Sequence, residues 1–141
     1  MKDTLKPGLT MAATLPVSPD LTVPRVHPAL KSFADMPPVF ATAFMVAFAE
    51  TTCIDCLADH LDDGEHSVGI HVDIAHSAAT PVGMTVEANV ELLKVDGRTL
   101  TFRVALTDDD GPIGGGLHKR AVIDQAKFMD RVAAKAGRRS G

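Results

Sequence analysis

The sequence predicts an α+β domain in which one antiparallel sheet of about five to six strands curls around a single apolar helix. A helical pattern occupies the middle of the 141-residue chain. One strand-like segment precedes it, and four alternating segments separated by turn residues follow it. One helix cannot cover both faces of a flat sheet, whereas a curled sheet can enclose the helix and bury its own inner face.

Composition and charge fit one domain. The chain is 45% hydrophobic, contains neither Trp nor Tyr, and has a formal net charge of −4. Its basic residues are scattered until the last few, so no cationic stripe indicates a nucleic-acid partner. Charges and a proline interrupt residues 1–15 where a secretion signal needs an unbroken apolar stretch, and the apolar run at 38–49 is too short to span a bilayer. We therefore expect a cytoplasmic protein without a membrane partner.

The N-terminal segment is rich in proline. Six of the nine prolines lie in residues 1–37, which excludes a long helix there. Residues 11–17 are predicted to form an edge strand, and residues 27–38 an irregular flap. We therefore divide the chain into a strand-and-flap segment at 1–37 and a main domain at 38–141.

The central helix is predicted within ATAFMVAFAETTCIDCLADHL, residues 41–61. Apolar side chains recur there at helical spacing, and the apolar surface is wide enough to predict a helix that is covered on most sides. Thr42 is a plausible N-cap, and Gly64 can end the helix. Cys53 and Cys56 lack the second cysteine pair of a structural zinc site, so they are predicted to be buried thiols.

Four strands are predicted at 67–78, 85–95, 98–107 and 113–124, followed by a short helix at 125–136. Asp96 and Gly97 form a strong hairpin signal between the second and third of them. The glycines at 114–116 lack the Lys-Ser/Thr of a phosphate loop and indicate an irregular strand or a close backbone approach. This arrangement is the hotdog fold, and its strand edges and helix flank predict a homodimer.

One carboxylate interrupts the apolar helix. Glu50 has Val46 and Ile54 four residues away, and Ala47 and Cys53 three residues away. A charge in such surroundings needs a partner. Glu50 is therefore either a functional carboxylate or part of a polar strip along the helix.

The strand after the helix separates two histidines. With a period of two, the apolar face carries residues 68, 70, 72, 74 and 76, and the other face carries residues 69, 71, 73 and 75. His76 then belongs to the apolar face, either as a core histidine or as a functional group. The split disfavours a metal site built from His71, Asp73 and His76.

Thr42 precedes Glu50 by eight residues, a rise of about 12 Å on one helix. The two side chains are therefore out of reach of each other in one chain, but they can meet across a dimer interface between antiparallel helices. A helix start also offers free N–H groups and a positive dipole end to a negatively charged oxygen. The alternative role for Thr42 is a plain N-cap.

Four segments, taken together and in order, resemble the fluoroacetyl-CoA thioesterase type of hotdog protein over residues 32–128. They are SFADMPPVFATAFMVAFAE, SVGIHVDIAHSAATPVGMTV, VDGRTLTFRV and GGGLHKRAVID. The resemblance implies hydrolysis of a short-chain acyl-CoA, fluoroacetyl-CoA among the candidates, without a metal or other cofactor. The residues that it implies are catalytic Thr42, Glu50 and His76, a backbone contact from Gly69, Arg120 near the acyl pocket, and a lid at Phe33 and position 36. The lid position that is aromatic in this type is Met36 here, which weakens the expectation of strict fluoroacetyl selectivity.

Several roles stay open at this point. His76 is a general base or an electrostatic partner, Glu50 activates water or attacks the carbonyl, and Thr42 orients the carboxylate or is itself the nucleophile. A non-catalytic hotdog protein that binds an acyl-CoA or a small apolar acid is the alternative function. A hydratase on the same fold is disfavoured, because the helix brings Glu50 and Thr42 rather than an Asp-His pair.

Overall fold

A computed structural model of the protein describes residues 1–139. In chain order, its main elements are β1 (Thr10–Pro16), α1 (Thr42–Leu57), β2 (Glu65–His76), β3 (Thr85–Asp96), β4 (Thr99–Asp108), β5 (Gly111–Asp124) and α2 (Gln125–Arg138). The strands form one antiparallel sheet in the order β1-β3-β4-β5-β2. The predicted α+β class, strand number and helix positions are confirmed. The predicted segment 38–141 also includes residues 140 and 141, which lie outside the described residues.

The sheet follows from local turn signals and alternation. Asp96 pairs with Thr99 across the β3–β4 hairpin, where Gly97 has a φ of 58° that glycine adopts without steric cost. Alternate residues of β3 and β4 are buried, so one face of the sheet is covered. The largest buried side chains join this face to α1: Phe40, Met45, Leu92, Phe102 and Leu106.

The ends of α1 differ from the prediction. The helix begins at Thr42, and the N-cap is Ala41, which has no side chain that can cap. The predicted N-cap role of Thr42 is therefore wrong, because its hydroxyl is engaged elsewhere. The helix ends at Leu57 and continues as a 3₁₀ turn to His60, so Gly64 lies beyond its end. Gly64 instead supplies a φ of 82° in the turn before β2.

Within one chain, α1 is covered on one side only. Seven of its residues are buried, and they all face the sheet: Met45, Phe48, Ala49, Thr52, Cys53, Cys56 and Leu57. On the opposite side Ala43, Ala47 and Thr51 are exposed, and Ile54 is 43% exposed. The prediction that the helix is covered on most sides is thus wrong for a single protomer, because the sheet packs against only one side of it.

A β-bulge in β2 changes which residues share a face. The register with β5 shifts between Gly69 and His71, so that Gly69 pairs with Arg120, and Val72 pairs with His118. Directly opposed residues point to the same face of a sheet. Because Arg120 and His118 are both buried, Gly69 lies on the inner face together with His76. The predicted strict alternation, which put these two residues on opposite faces, is therefore wrong: the extra residue reverses it.

The glycine run in β5 marks a close backbone approach, as predicted. A Cβ added at Gly114 would lie 2.2 Å from the carbonyl oxygen of Ala75 on β2, closer than any side chain permits. This contact sits where Gly114 pairs with His76. In residues 1–139, no helix is long and apolar enough to cross a membrane.

Candidate active site

The start of α1 and the end of β2 bring Thr42 and His76 together. Thr42 Oγ1 lies 2.7 Å from His76 Nδ1, a hydrogen bond between residues 34 positions apart. The N–H of Met45 makes the first helical bond, to the carbonyl of Ala41. The N–H groups of residues 42–44 therefore lack helical acceptors and carry the positive end of the helix dipole beside this pair.

The other ring nitrogen of His76 is unsatisfied. His76 Nε2 is buried and has no hydrogen-bond partner within residues 1–139. A small cavity of about 220 Å³ adjoins both Thr42 and His76 and is walled by Val39 and Phe40. A buried polar atom without a partner is rare in folded proteins, and it marks a place where a further group is expected.

Glu50 finds its partner on β5. Its Oε2 accepts a hydrogen bond of 2.8 Å from Arg120 Nη1 and lies 3.8 Å from His118 Nε2. The Arg120 side chain is only 4% exposed, whereas the Glu50 side chain is 36% exposed. The carboxylate is thus held from the protein side and open on the other side.

Two bonds to Ser67 on β2 fix the guanidinium of Arg120. Arg120 Nε donates to Ser67 Oγ at 2.8 Å, and Nη2 donates to the Ser67 carbonyl oxygen at 2.9 Å. A planar guanidinium that is anchored on one edge presents its remaining N–H groups in a fixed direction. That direction is toward Glu50, so Ser67 sets the position of the cation that holds the carboxylate.

His118 completes this cluster on its buried side. Its Nδ1 lies 2.8 Å from the carbonyl oxygen of His71, and since a carbonyl only accepts, Nδ1 carries the proton. Its Nε2 lies 3.1 Å from Arg120 Nη1 and accepts from it, which requires a neutral ring. Burial lowers the pKa of His118, and the Arg120 charge lowers it further, while the bond to His71 opposes both effects.

Gly69 lies against the carboxylate. A Cβ added at this position would lie 2.6 Å from Glu50 Oε2 and 3.3 Å from His118 Cε1. A methyl group at this point of β2 would therefore displace the Glu50 carboxylate from its position beside Arg120. The same lack of a side chain lets the backbone of Gly69 approach a bound molecule.

The predicted lid residues lie in a loop before α1. Phe33 ends a 3₁₀ turn, and its carbonyl accepts from the N–H of Met36 at 3.1 Å. Met36 is 47% exposed, and Phe33 is partly buried. Neither residue lines the cavity beside Thr42 and His76 in the single chain.

One chain therefore holds two separate clusters. The first joins Thr42 to His76, and the second joins Glu50 to Arg120, Ser67, His118 and Gly69. Ser67 and His118 were not predicted as site residues. The signal for His118 is local, because it lies two residues before Arg120 on β5 and shares its face. Ser67 has no such signal, because only the register of β2 with β5 places it beside Arg120.

Comparison with known proteins decides the family. The fluoroacetyl-CoA-specific thioesterase family, FlK, matches residues 18–126. A fluoroacetyl-CoA thioesterase from Streptantibioticus cattleyicolor is 42% identical over 135 residues, which are 96% of this chain and 97% of that protein. The chain belongs to the fluoroacetyl-CoA-specific thioesterase family. This membership confirms the resemblance seen in the sequence.

The solved structures agree with that assignment. The chain superposes on the fluoroacetyl-CoA thioesterase FlK with a TM-score of 0.91 and 41% identity, covering 94% of this chain and 98% of that one. A hot-dog-like protein from Thermanaerovibrio acidaminovorans has a TM-score of 0.79 and 23% identity over 92% of this chain and 91% of its own. The predicted hotdog fold is thereby confirmed.

Proposed function

We propose that this chain hydrolyses a short-chain acyl-CoA thioester to the free acid and CoA, with Thr42, Glu50 and His76 as its catalytic residues. Membership of the fluoroacetyl-CoA-specific thioesterase family supports the reaction class. The observation that carries the residue assignment is the 2.7 Å contact between Thr42 Oγ1 and His76 Nδ1. It pairs a hydroxyl with an imidazole, the combination that activates a weak nucleophile in acyl transfer.

The tautomer of His76 gives this pair a direction. If Thr42 donates its proton to Nδ1, the neutral ring carries its own proton on Nε2, which is buried without an acceptor within residues 1–139. A carboxylate beside Nε2 would accept a hydrogen bond from that N–H and stabilise the imidazolium that forms when Nδ1 takes the hydroxyl proton. Glu50 is the carboxylate that we assign to this place.

Glu50 reaches that place from a second copy of the chain. Within one helix, Thr42 and Glu50 are about 12 Å apart along the axis, so one copy does not assemble the set. The side of α1 that the sheet leaves open carries Ala43, Ala47 and Thr51. Two such sides packed antiparallel would place the partner subunit's Glu50 beside Thr42 and His76, with a second equivalent site related by the two-fold axis.

The reaction then proceeds by acyl transfer. Thr42 Oγ1 attacks the thioester carbon as His76 takes its proton, the C–S bond breaks, and the thiolate leaves as CoA with that proton. Water then attacks the carbonyl carbon of the acyl-threonine as His76 takes a proton from it. The C–O bond to Thr42 breaks, His76 returns the proton to Thr42 Oγ1, and the free acid leaves. The negative oxygen of each tetrahedral intermediate would be stabilised by the N–H groups at the start of α1 and by the Gly69 N–H. Direct attack by water, with Thr42 only orienting it, is the other route.

Substitution of Glu50 and of His76 tests the assignment. We expect Glu50→Gln and His76→Ala to remain folded and dimeric and to lose at least about 100-fold in kcat, because each removes a group that acts in the transition state. Thiol release from acyl-CoA and circular dichroism measure the two properties. Turnover near that of the unmodified protein in both variants would contradict the assignment, and saturable CoA binding without thiol release would indicate the non-catalytic alternative.

The nucleophile is tested separately. Mass spectrometry of the protein quenched during turnover would reveal an acyl adduct on the peptide that contains Thr42, and Thr42→Ser should retain this adduct whereas Thr42→Ala should not. An adduct on the Glu50 peptide would instead identify a mixed anhydride. Absence of any adduct in a protein that turns over would favour direct attack by water.

The preferred acyl group is tested by comparing fluoroacetyl-, acetyl- and longer acyl-CoA. The relative from Streptantibioticus cattleyicolor is a fluoroacetyl-CoA thioesterase. We propose that fluoroacetyl-CoA is a substrate here as well, with weaker discrimination because Met36 is flexible and exposed. Met36→Phe should then sharpen the preference for fluoroacetyl over acetyl. A higher kcat/KM for acetyl or longer chains would remove the fluoroacetyl proposal and leave a general thioesterase.

A further inference from the structure

The positive charge of this acidic protein is concentrated near its C-terminus. Residues 125–141 contain five of the fourteen basic residues and only one of the eighteen acidic residues. Lys127, Arg131 and Lys135 recur every four residues along α2, so they lie on one side of the helix. A local surplus of cations on a chain with a net charge of −4 indicates an anionic ligand at this surface.

Three cations meet in one small cavity at this surface. Arg98 from the β3–β4 turn, and Lys127 and Arg131 from α2, line a cavity of about 230 Å³. Its one acidic wall residue, Asp124, is engaged as the N-cap of α2, where it accepts from the N–H of Lys127 at 3.1 Å. The cavity therefore carries a surplus of positive charge in a concave setting, which suits a phosphate group.

A larger groove lies between this cavity and Glu50. Its volume is about 670 Å³, and Ile123 forms a wall of both spaces. At one end the groove is lined by Ser67 and by Ile54, one helical turn beyond Glu50. At the other end it is lined by Phe128 of α2, beside the cationic cavity. Apolar side chains such as Leu61, Val68 and Met129 form part of its wall and suit an uncharged chain.

The length of β2 gives the distance from the Glu50 end of the groove to the end beside the cationic cavity. From Gly69, which touches Glu50, to Glu65 the strand advances four residues, or about 13 Å. Glu65 Oε2 accepts from Arg98 Nη1 at 3.3 Å, which places the cation at that end. The pantetheine arm of CoA, from sulfur to first phosphorus, is as long as roughly four residues of extended chain, or about 14 Å.

We propose that Arg98, Lys127 and Arg131 bind the phosphates of CoA, and that the groove beside them holds the pantetheine arm with its sulfur near Glu50 and Gly69. The inference rests on the proposed function for its ligand. Three carboxylates line the groove wall, Asp62, Asp63 and Glu65. The Met1 ammonium group donates to Asp62 and Glu65, and Arg98 also donates to Glu65, so these two cations offset two of the three negative charges. The site thus combines an apolar channel of the right length with cations at its far end.

The test compares thioesters with and without phosphates. For the unmodified protein and Lys127→Gln/Arg131→Gln, kcat/KM is measured with fluoroacetyl-CoA and with fluoroacetyl-pantetheine. We expect the double variant to lower the ratio of kcat/KM for fluoroacetyl-CoA to kcat/KM for fluoroacetyl-pantetheine about five- to tenfold. The change should come mainly from the KM for the CoA ester, and it is modest because each lost phosphate contact is partly exposed. An unchanged ratio overturns the proposal.

Arg98→Gln, which should lower the ratio in the same direction as the double variant, has Arg103→Gln as its matched control. Arg103 is 58% exposed and paired with Glu91, as Arg98 is 58% exposed and paired with Glu65, but it lies on β4 away from both cavities. Its removal changes the net charge without touching the groove, so the ratio should stay at the value of the unmodified protein. An equal fall in Arg103→Gln would assign the effect to general charge and overturn the site.

Calorimetric binding of CoA and of pantetheine separates this proposal from the hydrolytic one. CoA should bind more tightly than pantetheine, and Lys127→Gln/Arg131→Gln should weaken CoA alone. If CoA binds in this way but the protein releases no thiol, the phosphate site is supported and hydrolysis is rejected. If the protein turns over acyl-CoA but the double variant binds CoA as tightly as the unmodified protein, hydrolysis is supported and the phosphate site is rejected. A change of sedimenting mass in the double variant would show that this face joins two copies, which overturns the proposal.

Discussion

Arg120 Nη1 lies 2.8 Å from Glu50 Oε2 and joins a buried cation on β5 to a carboxylate in the middle of α1. This bond explains how an apolar helix accepts a charge, because the carboxylate is neutralised from within the same chain. It also leaves the open side of Glu50 available, since that side chain is 36% exposed. The pair is therefore both a structural contact and the support of the proposed catalytic carboxylate.

Removing the cation should destabilise the fold through Glu50. We expect Arg120→Met to lower the free energy of unfolding by about 2 kcal/mol, less than for a fully buried pair because Glu50 is partly exposed. Adding Glu50→Gln to this variant should recover part of the loss, since no unpaired charge then remains. Urea unfolding of both single variants and the double variant measures the coupling. A double variant as unstable as the sum of its parts would show that the two residues are not coupled.

Ser67 should matter for activity although it lies behind Glu50, the proposed catalytic carboxylate. Ser67→Ala leaves the buried Nε–H of Arg120 without its side-chain acceptor, so we expect a loss of about 1–2 kcal/mol in stability. Looser positioning of Glu50 should lower kcat about tenfold with little change in KM. Ser67→Thr keeps the hydroxyl and should restore both values. Equal kcat in the Ala and Thr variants would limit Ser67 to a packing role.

The sequence was informative wherever the signal is local. The Asp96–Gly97 turn, the alternation of β3 and β4 and the apolar helix all depend on residues within a few positions of each other, and the structure confirms each element. Glu50 also stood out locally, because its neighbours along the helix are apolar. Local chemistry of this kind survives folding with little change.

The wrong predictions, and the contacts that the sequence does not reveal, depend on residues far apart in the chain. The bulge after Gly69 inserts one residue into β2 and reverses the alternation, which no periodicity count could reveal. The pairing of Glu50 with Arg120 joins residues 70 positions apart, so it appears only once β5 is aligned beside β2. Thr42 gave the signal of an N-cap but bonds His76 across the fold, a tertiary contact that replaced the local one.

The two cysteines should be silent in a thiol assay of the native protein. Burial raises the pKa of Cys53 to about 12, and burial also raises the pKa of Cys56. At pH 8 about one Cys53 in ten thousand is then a thiolate, the form that reacts. We expect DTNB to titrate neither thiol within minutes in buffer and both in guanidinium, so that released CoA is read without background. Rapid native labelling that disappears in Cys53→Ser would contradict the buried thiol.

His118 should make stability depend on pH. Its pKa is lowered below the ordinary 6.5, chiefly by burial and also by Arg120, with Glu50 as a weaker opposing charge. As the pH falls below 6.5, the unfolded chain binds a proton that the folded chain does not, so stability is lost down to the folded pKa, with a slope of at most about 1.4 kcal/mol per pH unit. His118→Gln can still donate to the His71 carbonyl and accept from Arg120 without titrating. We therefore expect the free energy of unfolding, measured with urea between pH 7.5 and 5, to fall less steeply with decreasing pH in His118→Gln than in the unmodified protein. The exposed control His66→Gln should behave as the unmodified protein does. An equal slope in all three proteins would refute the assignment of a neutral, buried His118.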